Sequence, residues 1–259
     1  MLEVRNLYKT FNAGTINEKK AINGLSLTLE DGDFVTVIGG NGAGKSTLLN
    51  LVAGVFPVDD GSITIAGQDV TRLPEHKRAK FIGRVFQDPM MGTAATMGIE
   101  ENLALAYRRG QARGLRYGIN NAERKLYREK LAILGLGLED RLTSKVGLLS
   151  GGQRQALTLL MSTLKKPKLL LLDEHTAALD PKTAAKVLET TEKIVQRDHL
   201  TTLMITHNMR DAIAHGNRLI MMDAGRIVVD ICGEEKKNLT VQDLLDKFHV
   251  ESDRMLLSE

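Results

Sequence analysis

A glycine-rich octapeptide between a β-branched run and an amphipathic segment constrains the fold more than any other part of the chain. Residues 34–38 have the composition of a buried strand, and residues 45–55 have the spacing of a helix. The octapeptide that joins them, residues 39–46, fits the pattern G-x-x-x-x-G-K-[ST]. Its glycines let consecutive backbone N–H groups curve around phosphate oxygens at the start of the helix. The sequence therefore predicts a strand–loop–helix unit that binds phosphate.

Strand and helix patterns alternate along both ends of the chain. Strand patterns lie at residues 2–4, 21–29, 34–38, 62–65, 84–86, 169–172, 201–206, 218–222 and 226–231. Helical patterns lie at residues 45–55, 182–197 and 209–215, and a short helix is expected at residues 240–248. Such alternation predicts an α/β domain with a mainly parallel sheet.

The middle of the chain has a different character. From residue 88 to about residue 166 strand signals vanish, and residues 99–107 and 123–134 have helical periodicity. This stretch is interpreted as a helical insertion. It contains a basic cluster, interpreted as a solvated helix face, with acidic lipid headgroups as the alternative; nucleic acid is not expected, because no nucleic-acid-binding fold accompanies the cluster. The cluster is Arg108, Arg109, Arg113, Arg116, Arg124, Lys125, Arg128 and Lys130.

Composition narrows the class of protein. The 259 residues are 42% hydrophobic, enough for one large domain with a full core, and the formal net charge of +3 is only mildly basic. The single cysteine, Cys232, rules out an internal disulfide framework and fits a reducing cytoplasm. No apolar run approaches the ~20 residues of a membrane-spanning helix. The chain starts on a strand pattern without a signal-peptide region, so any membrane part is expected to be another chain.

Two further motifs point to chemistry. Leu149–Gln153 places two adjacent glycines between Ser and Gln, where the backbone can approach a ligand closely. A helix N-terminus capped by Ser150 is the structural alternative. Asp173 and Glu174 follow the apolar run 169–172, at the strand end where ligands bind in open α/β sheets. In the presence of the phosphate loop, Asp173 is expected to hold Mg²⁺ and Glu174 to accept a proton from the attacking water.

The chain resembles the ATP-binding subunit of ABC transporters, because the phosphate loop, the Ser-Gly-Gly-Gln segment and the Asp-Glu pair follow one another in that family's order. The resemblance covers nearly the whole chain, from residue 2 to about residue 231. It implies a P-loop NTPase fold of the ABC ATPase type, with an antiparallel β subdomain and an α-helical insertion. The expected single domain spans residues 1–259. Its nucleotide-binding core is 1–87 and 165–232, its helical subdomain with the signature motif is 88–164, and its helical tail is 233–259.

The resemblance also assigns ATP and Mg²⁺ to named residues. Lys45 reaches the β- and γ-phosphates, and Ser46 coordinates Mg²⁺ together with Gln87 and Asp173. The predicted ATP-binding residues are Phe11, Gly39, Asn41, Gly42, Ala43, Gly44, Lys45, Ser46, Thr47, Ser150, Gly151, Gly152, Gln153 and Asp180. Glu174, His207 and Gln87 are the predicted catalytic residues.

Four of these roles have competing interpretations, and for Gln87 the alternative is an ordinary polar residue at a strand end. Phe11 is the expected adenine-stacking ring, with Tyr8 as the competing candidate that strand alternation could turn into the core. Asp180 is expected to cross a dimer interface, and it can also cap the helix that starts at Pro181. His207, which the resemblance places against the γ-phosphate, could instead be an ordinary histidine at a strand end.

The resemblance further implies partners. Two copies would sandwich two ATP molecules, with the Ser-Gly-Gly-Gln segment of one copy completing the site of the other. The chain would work at the cytoplasmic face of the membrane with integral permease subunits, and with an extracytoplasmic solute-binding protein acting through them. The segment 88–105, with Met90, Met91, Met97 and Ile99, is the expected permease docking region; Ile99 is expected to pack inside.

One departure from the family pattern bears on the substrate. His175 stands where the family usually has proline, and it can loosen that turn or add a polar contact. The segment 173–180 is similar to a subgroup of uptake systems for small solutes, which points to an aromatic amino acid. The alternatives are a lipoprotein-release or other export ATPase, and a soluble iron–sulfur cluster assembly ATPase. The latter usually departs from the Ser-Gly-Gly-Gln-Arg-Gln seen at residues 150–155.

Overall fold

The computed structural model describes residues 1–111 and 118–247. Its strands are β1 (Leu2–Phe11), β2 (Lys19–Leu29), β3 (Phe34–Gly39), β4 (Asp60–Ile65), β5 (Gln68–Asp69), β6 (Ile82–Val85), β7 (Leu169–Asp173), β8 (Thr201–Ile205), β9 (Arg218–Asp223) and β10 (Arg226–Cys232). Its helices are α1 (Lys45–Ala53), α2 (Glu75–Arg78), α3 (Ile99–Tyr107), α4 (Asn121–Ala132), α5 (Gly151–Thr163), α6 (Pro181–Asp198), α7 (Met209–Ala214) and α8 (Gly233–Lys237). Within the described ranges, no helix has the length and apolar character needed to cross a membrane.

Each predicted strand and helix is present, and the differences lie at element ends. The first strand runs on to Phe11 rather than stopping at Val4, and α1 ends at Ala53 because Gly54 adopts the left-handed conformation with φ +82°. The tail helix covers residues 241–247, and the last residue predicted for it, Phe248, lies outside the described residues. Helix α2, strand β5 and helix α8 have no counterpart among the predicted elements.

Contacts divide the described residues into two compact units. The first is built from Met1–Arg78 and His199–Glu259, and the second from Ala79–Asp198. The predicted boundaries at residues 87, 164 and 232 remain predictions.

The first unit contains an antiparallel sheet with the strand order β2-β1-β4-β5. In β1, Leu2, Val4 and Leu7 are all fully buried, a spacing that breaks strict alternation. The break comes from Asn6, whose φ is +45°, where the pairing of β1 with β2 is irregular. A bulge of this kind hides the period of two, which explains why the sequence pattern ended at Val4.

The parallel strands of the first unit surround β3, which pairs with β8 on one side and β9 on the other. Five of its six residues are buried, as expected for a strand covered on both faces. Strand β10 pairs antiparallel with β9. A core cluster joins β3, β9 and β10 to α7 and the C-terminal segment. Its buried members are Ile38, Ala212, Leu219, Met221, Ile231, Leu239 and Leu244.

The C-terminus of α1 is held by a buried arginine that the sequence did not single out. The Arg78 side chain donates to the carbonyls of Leu51 at 2.7 Å and Val52 at 2.9 Å. It also donates to Leu73 and Thr71, so four backbone carbonyls share one guanidinium. Burial lowers the pKa of Arg78 below its ordinary value. This cation adds a charged donor to carbonyls at the end of α1, where intrahelical donors run out.

In the second unit, β6 and β7 form a parallel pair, with Val85 opposite Leu172 at their carboxyl ends. Between them the chain is helical, through α3, α4 and α5, and the described residues of 86–168 contain no strand. The predicted helical insertion and the mainly parallel pairing are therefore confirmed.

The basic cluster of the second unit is not simply a solvated face. Arg108 pairs with Glu123 at 2.7 Å, and Arg124 pairs with Glu100 at 2.8 Å. Arg109 donates to the carbonyls of Ser162 and Lys165 at the C-terminal end of α5. The interpretation as a solvated face therefore does not hold for Arg109, whose guanidinium binds carbonyls of the unit. Arg108 and Arg124 form ion pairs while staying partly exposed, and Lys125 and Arg128 are exposed, as a solvated face requires. Arg113 and Arg116 lie outside the described residues.

Replacing Arg78 by Leu is expected to lower the free energy of unfolding by about 3 kcal/mol, because the buried carbonyls lose their donor. Chemical denaturation of the purified chain measures this. Lys77→Leu, at the exposed neighbouring position, is the control and is expected to change stability little. Equal stability of the Arg78 variant and the parent chain would contradict the capping role.

Candidate functional site

The phosphate loop, residues 39–46, is shaped by two glycines that the backbone of other strands approaches closely. A Cβ on Gly39 would lie 2.2 Å from the carbonyl oxygen of Met222, and one on Gly44 would lie 2.5 Å from that of Ala21. Gly44 also has φ +99° and forms the N-cap of α1. No side chain fits at either position, so glycine is required there by sterics.

Lys45 lies folded over this loop. Its ammonium donates to the carbonyls of Gly39 at 2.8 Å and Gly40 at 3.0 Å, and its residue is only 7% exposed. The loop supplies carbonyl oxygens to this buried cation but no carboxylate. The negatively charged oxygens of a phosphate group have the charge that complements it.

The first turn of α1 has no acidic residue, so no carboxylate of the helix itself offsets the positive end of its dipole. Asn41, Gly42 and Ser46 are exposed, Thr47 is half-buried and Ala43 is buried. The loop thus presents backbone N–H groups and the Ser46 hydroxyl to the outside. A phosphate chain with a cation bound to it fits this cradle, and Ser46, the predicted Mg²⁺ ligand of the loop, offers an oxygen of the kind Mg²⁺ prefers.

His207 belongs to the same sheet edge of the first unit as the phosphate loop. It follows β8, which runs parallel to β3 with Ile205 opposite Val37. Thr206 donates its N–H to Val37, and Asn208 caps α7 through hydrogen bonds from Arg210 and Asp211. His207 itself is exposed between these two fixed neighbours. Its position suits a side chain that reaches out from the strand end.

Phe11 ends β1 and packs edge-on against Phe56, with ring centroids 5.2 Å apart. An ion pair supports this strand end, because Lys9 lies 2.6 Å from Asp59. Tyr8 is 42% exposed and does not turn into the core as alternation suggested, since the irregularity at Asn6 shifts the facing of the strand. Phe11 and Tyr8 therefore both keep ring surface near solvent, and the adenine role of Phe11 remains a prediction.

Gln87, Asp173 and Glu174 lie at the carboxyl edge of the β6–β7 pair in the second unit. Gln87 is exposed, whereas the two acids are half-buried. Arg84 on β6 lies 3.7 Å from the carboxylate of Asp173. The second unit thus gathers the predicted acid, base and glutamine on one edge.

The backbone at Glu174 is left-handed, with φ +43°, a conformation that residues other than glycine rarely adopt. Its carbonyl accepts the N–H of Ala177 at 2.9 Å, which closes the turn after β7. His175 is 2% exposed and its Nε2 lies 3.2 Å from the hydroxyl of Thr191 on α6. His175, which stands in place of the usual proline, therefore makes a polar contact, one of the two effects expected for it.

The signature turn, residues 149–153, starts α5. Ser150 accepts the N–H of Gln153 at 3.3 Å, and the Gln153 side chain accepts the N–H of Ser150 at 3.2 Å. This reciprocal capping box realises the alternative interpretation of Ser150 without excluding a ligand role. Gly151 is exposed and Gly152 is buried. A cavity of about 570 Å³ lies beside this turn, lined among others by Ser150, Gly152, Gln153, Thr183 and Lys186.

Two residues after the signature turn hold it in place, and the sequence did not single them out. Arg154 donates to the carbonyls of Gly147 at 3.1 Å and Leu149 at 3.2 Å. Gln155 is fully buried and donates to the carbonyl of Phe86 at 3.1 Å, directly before Gln87. A glutamine among the apolar positions of α5 was the available signal, because a buried amide needs a specific partner.

Asp180 lies just before α6 and caps it, accepting the N–H of Thr183 at 3.1 Å. A hydrogen bond from the Thr183 side chain, with the backbone N–H as a second donor, lowers the pKa of Asp180 below its ordinary value. The capping interpretation is therefore confirmed, and the role of Asp180 at a dimer interface remains a prediction.

Known proteins with similar sequences are ATP-binding proteins of transport systems. A profile described as ABC transporter matches residues 22–177. A tyrosine transport ATP-binding protein of Clostridioides difficile is 47% identical over 96% of this chain and 98% of its own length. A spermidine/putrescine import ATP-binding protein of Haemophilus ducreyi is 35% identical over 96% of this chain and 64% of its own length.

Solved structures with the same fold are also ATP-binding cassettes. The cassette MJ0796, in a dimeric post-hydrolysis state bound to ADP and Pi, superposes with a TM-score of 0.76. It is 28% identical to this chain and covers 90% of it. Since the family profile spans more than half of the sequence and a relative matches it from end to end, this chain belongs to the ABC transporter family, as an ATP-binding cassette with ATPase activity.

Proposed function

We propose that this chain is the ATP-hydrolysing subunit of an uptake system for a small amino acid-type solute, with aromatic amino acids as the substrate class. One observation carries the substrate class. The tyrosine transport ATP-binding protein is 47% identical to this chain over 98% of its own length. Transport would proceed through separate permease subunits in the cytoplasmic membrane, with this chain at their cytoplasmic face and an extracytoplasmic solute-binding protein delivering the solute.

ATP binding is assigned to the first unit. The backbone N–H groups of the phosphate loop surround the phosphates, and Lys45 leaves the carbonyls of Gly39 and Gly40 to bind the β- and γ-phosphate oxygens. Phe11 stacks on the adenine, with Phe56 behind its ring. The cradle closed to side chains at Gly39 and Gly44 supports this assignment, because only a backbone of that shape brings consecutive donors to one anion.

Mg²⁺ is assigned to Ser46, Gln87 and Asp173, whose side chains all offer oxygen ligands. The bound ion would neutralise charge on the β- and γ-phosphates. Arg84, 3.7 Å from Asp173, pairs with that carboxylate and orients it.

Hydrolysis is assigned to Glu174 as the general base. Its carboxylate accepts the proton of the water that attacks the γ-phosphate, while Gln87 orients that water and His207 donates to the γ-phosphate. The left-handed turn at Glu174 supports this role, since strained backbone of this kind concentrates at functional sites. The buried contact between His175 and Thr191 holds the turn where a proline would otherwise stiffen it.

The working assembly is a homodimer with two ATP molecules, in which the signature turn of one copy contacts the nucleotide held by the other. Ser150, Gly151, Gly152 and Gln153 supply that contact, and Asp180 lies at the same interface. Support comes from the dimeric state of the MJ0796 cassette bound to ADP and Pi.

The docking surface for the permease is assigned to the segment after Gln87, residues 88–105. Met90 is 45% exposed and Met91 is 69% exposed, whereas Ile99 is fully buried, as the residue pattern suggested. Arg154 contacts the sulfur of Met90, and Leu148, next to the carbonyls that Arg154 binds, is 73% exposed. Flexible methionines beside an exposed leucine suit the apolar face of a partner helix.

Replacing Lys45 by Ala is expected to weaken ATP binding about tenfold or more, because a charge-assisted contact to the phosphates is lost. Fluorescent ATP titration measures this in the purified chain. In the source cells, the same variant should abolish ATP-driven uptake of labelled tyrosine. Lys168→Ala, at an exposed position outside the loop, is the control for both assays. Tyrosine uptake at the parent rate would overturn the substrate class, and unchanged ATP affinity would overturn the site.

Glu174→Gln is expected to bind ATP normally and to stop turnover, since the amide keeps the shape of the side chain but cannot accept the proton. A dimer should then accumulate with ATP and Mg²⁺, seen by size-exclusion chromatography. Glu75→Gln, an exposed change on α2, is the control and should turn over at the parent rate. Phosphate release by the Glu174 variant at the parent rate would exclude Glu174 as the base.

Changing both Met90 and Met91 to Asp is expected to leave ATP binding intact and to prevent co-purification with the membrane subunit, because charges enter the apolar docking surface. Ile133→Asp is the matched control, since Ile133 is also 45% exposed but lies outside segment 88–105. Loss of the folded state would instead make the methionines core residues. Co-purification at the parent level would place the docking surface elsewhere.

A further inference from the structure

We propose that Asp59 is a positioning residue for base recognition. Together with Lys9 it holds the Phe11 ring at the end of β1, where the adenine of ATP would stack. The functional consequence rests on the proposed assignment of Phe11 to the adenine. Asp59 and Lys9 themselves are not among the residues that the sequence predicted for the site.

The carboxylate of Asp59 binds two groups of β1 at once. One of its oxygens accepts the Lys9 ammonium at 2.6 Å, and the other accepts the backbone N–H of Thr10 at 2.6 Å. Asp59 also donates its own backbone N–H to the carbonyl of Tyr8 at 3.1 Å. The three residues of β1 that directly precede Phe11 are therefore bound by one residue from the segment after α1.

Lys9 depends on this carboxylate because it is buried. Its residue is only 8% exposed, and an ammonium taken out of water needs a partner of opposite charge or a hydrogen-bond acceptor. Asp59 supplies both at hydrogen-bond distance. The same ammonium lies over the Phe11 ring, 5.6 Å from the ring centroid, within the range of a cation–π interaction. The position of Asp59 therefore sets the position of the charge that attracts the ring.

The Phe11 ring has a second support from the same segment, residues 56–59. Phe56 packs edge-on against it, with ring centroids 5.2 Å apart and ring planes inclined by 80°. Phe11 is only half-buried, so part of its ring surface stays open to a planar ligand. The segment therefore fixes the ring on more than one side without covering it.

The end of β1 that carries Phe11 lies close to the phosphate loop through β2. Phe11 pairs with Lys19 across the two strands, and the Lys19 ammonium lies 3.3 Å from the position that a Cβ on Gly42 would take. The carbonyl of Ala21, also on β2, lies 2.5 Å from the Cβ position of Gly44. One lysine side chain thus spans the gap, so a nucleotide with its phosphates on the loop can place its base on this ring.

The positioning role is tested by comparing the affinity for ATP with that for tripolyphosphate, which has no base. Asp59→Asn should weaken ATP binding about fivefold and leave tripolyphosphate binding unchanged, because only the support of the ring is lost. Asp60→Asn is the matched control, since it removes the same charge at the next, exposed position and should keep the parent ratio of the two affinities. A parent ratio in Asp59→Asn, or an equal loss for both ligands, would overturn the proposal.

The same measurement in a Phe11→Ala background shows whether Asp59 acts through the ring. Phe11→Ala should weaken ATP binding about tenfold and leave tripolyphosphate binding unchanged, since a stacked aromatic side chain is lost. Adding Asp59→Asn should then cause no further loss, and a further loss would overturn the positioning role. If Phe11→Ala itself keeps the parent ratio, the adenine assignment of the proposed function fails. If Phe11→Ala lowers the ratio and Asp59→Asn does not, only the positioning role fails.

The partnership of Asp59 with Lys9 is tested by a double-mutant cycle. Lys9→Met keeps a long apolar side chain at the buried position and should lower the ratio of ATP to tripolyphosphate affinity. Combining it with Asp59→Asn should lower the ratio no further, because the ion pair is lost only once. Additive losses would overturn the pair. If circular dichroism shows that Asp59→Asn does not fold, Lys9→Met alone decides the proposal, and a parent ratio in that variant would overturn it.

Discussion

The shape of the phosphate loop, on which the first unit's binding site depends, is set by the close approach of backbone carbonyls from other strands. The Met222 carbonyl on β9 occupies the space where a side chain of Gly39 would point, and the Ala21 carbonyl on β2 does the same at Gly44. The loop shape is therefore imposed by strands from distant parts of the sequence. Lys45 is buried on the loop carbonyls as a result, which leaves a cation without an anionic partner from the loop itself. An anion with several oxygens completes that arrangement.

Three helix ends in the described part of the chain are held by buried or half-buried cations, which accounts for some of its basic residues. Arg78 binds carbonyls at the end of α1, and Arg109 does so at the end of α5. Lys236 on α8 donates to the carbonyls of His215 and Gly216, just after α7. Each cation lies at the negative end of a helix dipole and donates to carbonyls at or just past the helix end, where intrahelical partners run out. The helix that carries Lys45 is thus anchored at the end opposite to the phosphate loop.

The second unit keeps its functional segments in place through polar contacts among buried side chains. Gln155 ties α5 to the residue before Gln87, and His175 ties the turn after β7 to Thr191. Asp180 and Thr183 join the start of α6 to the signature turn. The contacts of Gln155 and His175 are directional and largely shielded from water, where a hydrogen bond is stronger than at the surface. The unit therefore presents its signature turn and its acidic strand end on a rigid base.

The sequence by itself determined the strand and helix order, the parallel pairing and the family, because hydrophobic period and glycine spacing are local properties. The motif at Gly39–Ser46 already required a strand before it and a helix after it. Tertiary structure decided what local pattern cannot express. It turned Tyr8 outward through an irregularity at Asn6, and it gave three arginines of the basic cluster internal partners. It also brought Thr183 onto Gly152, since which side chain fills the space beside a glycine depends on packing between helices that are distant along the chain.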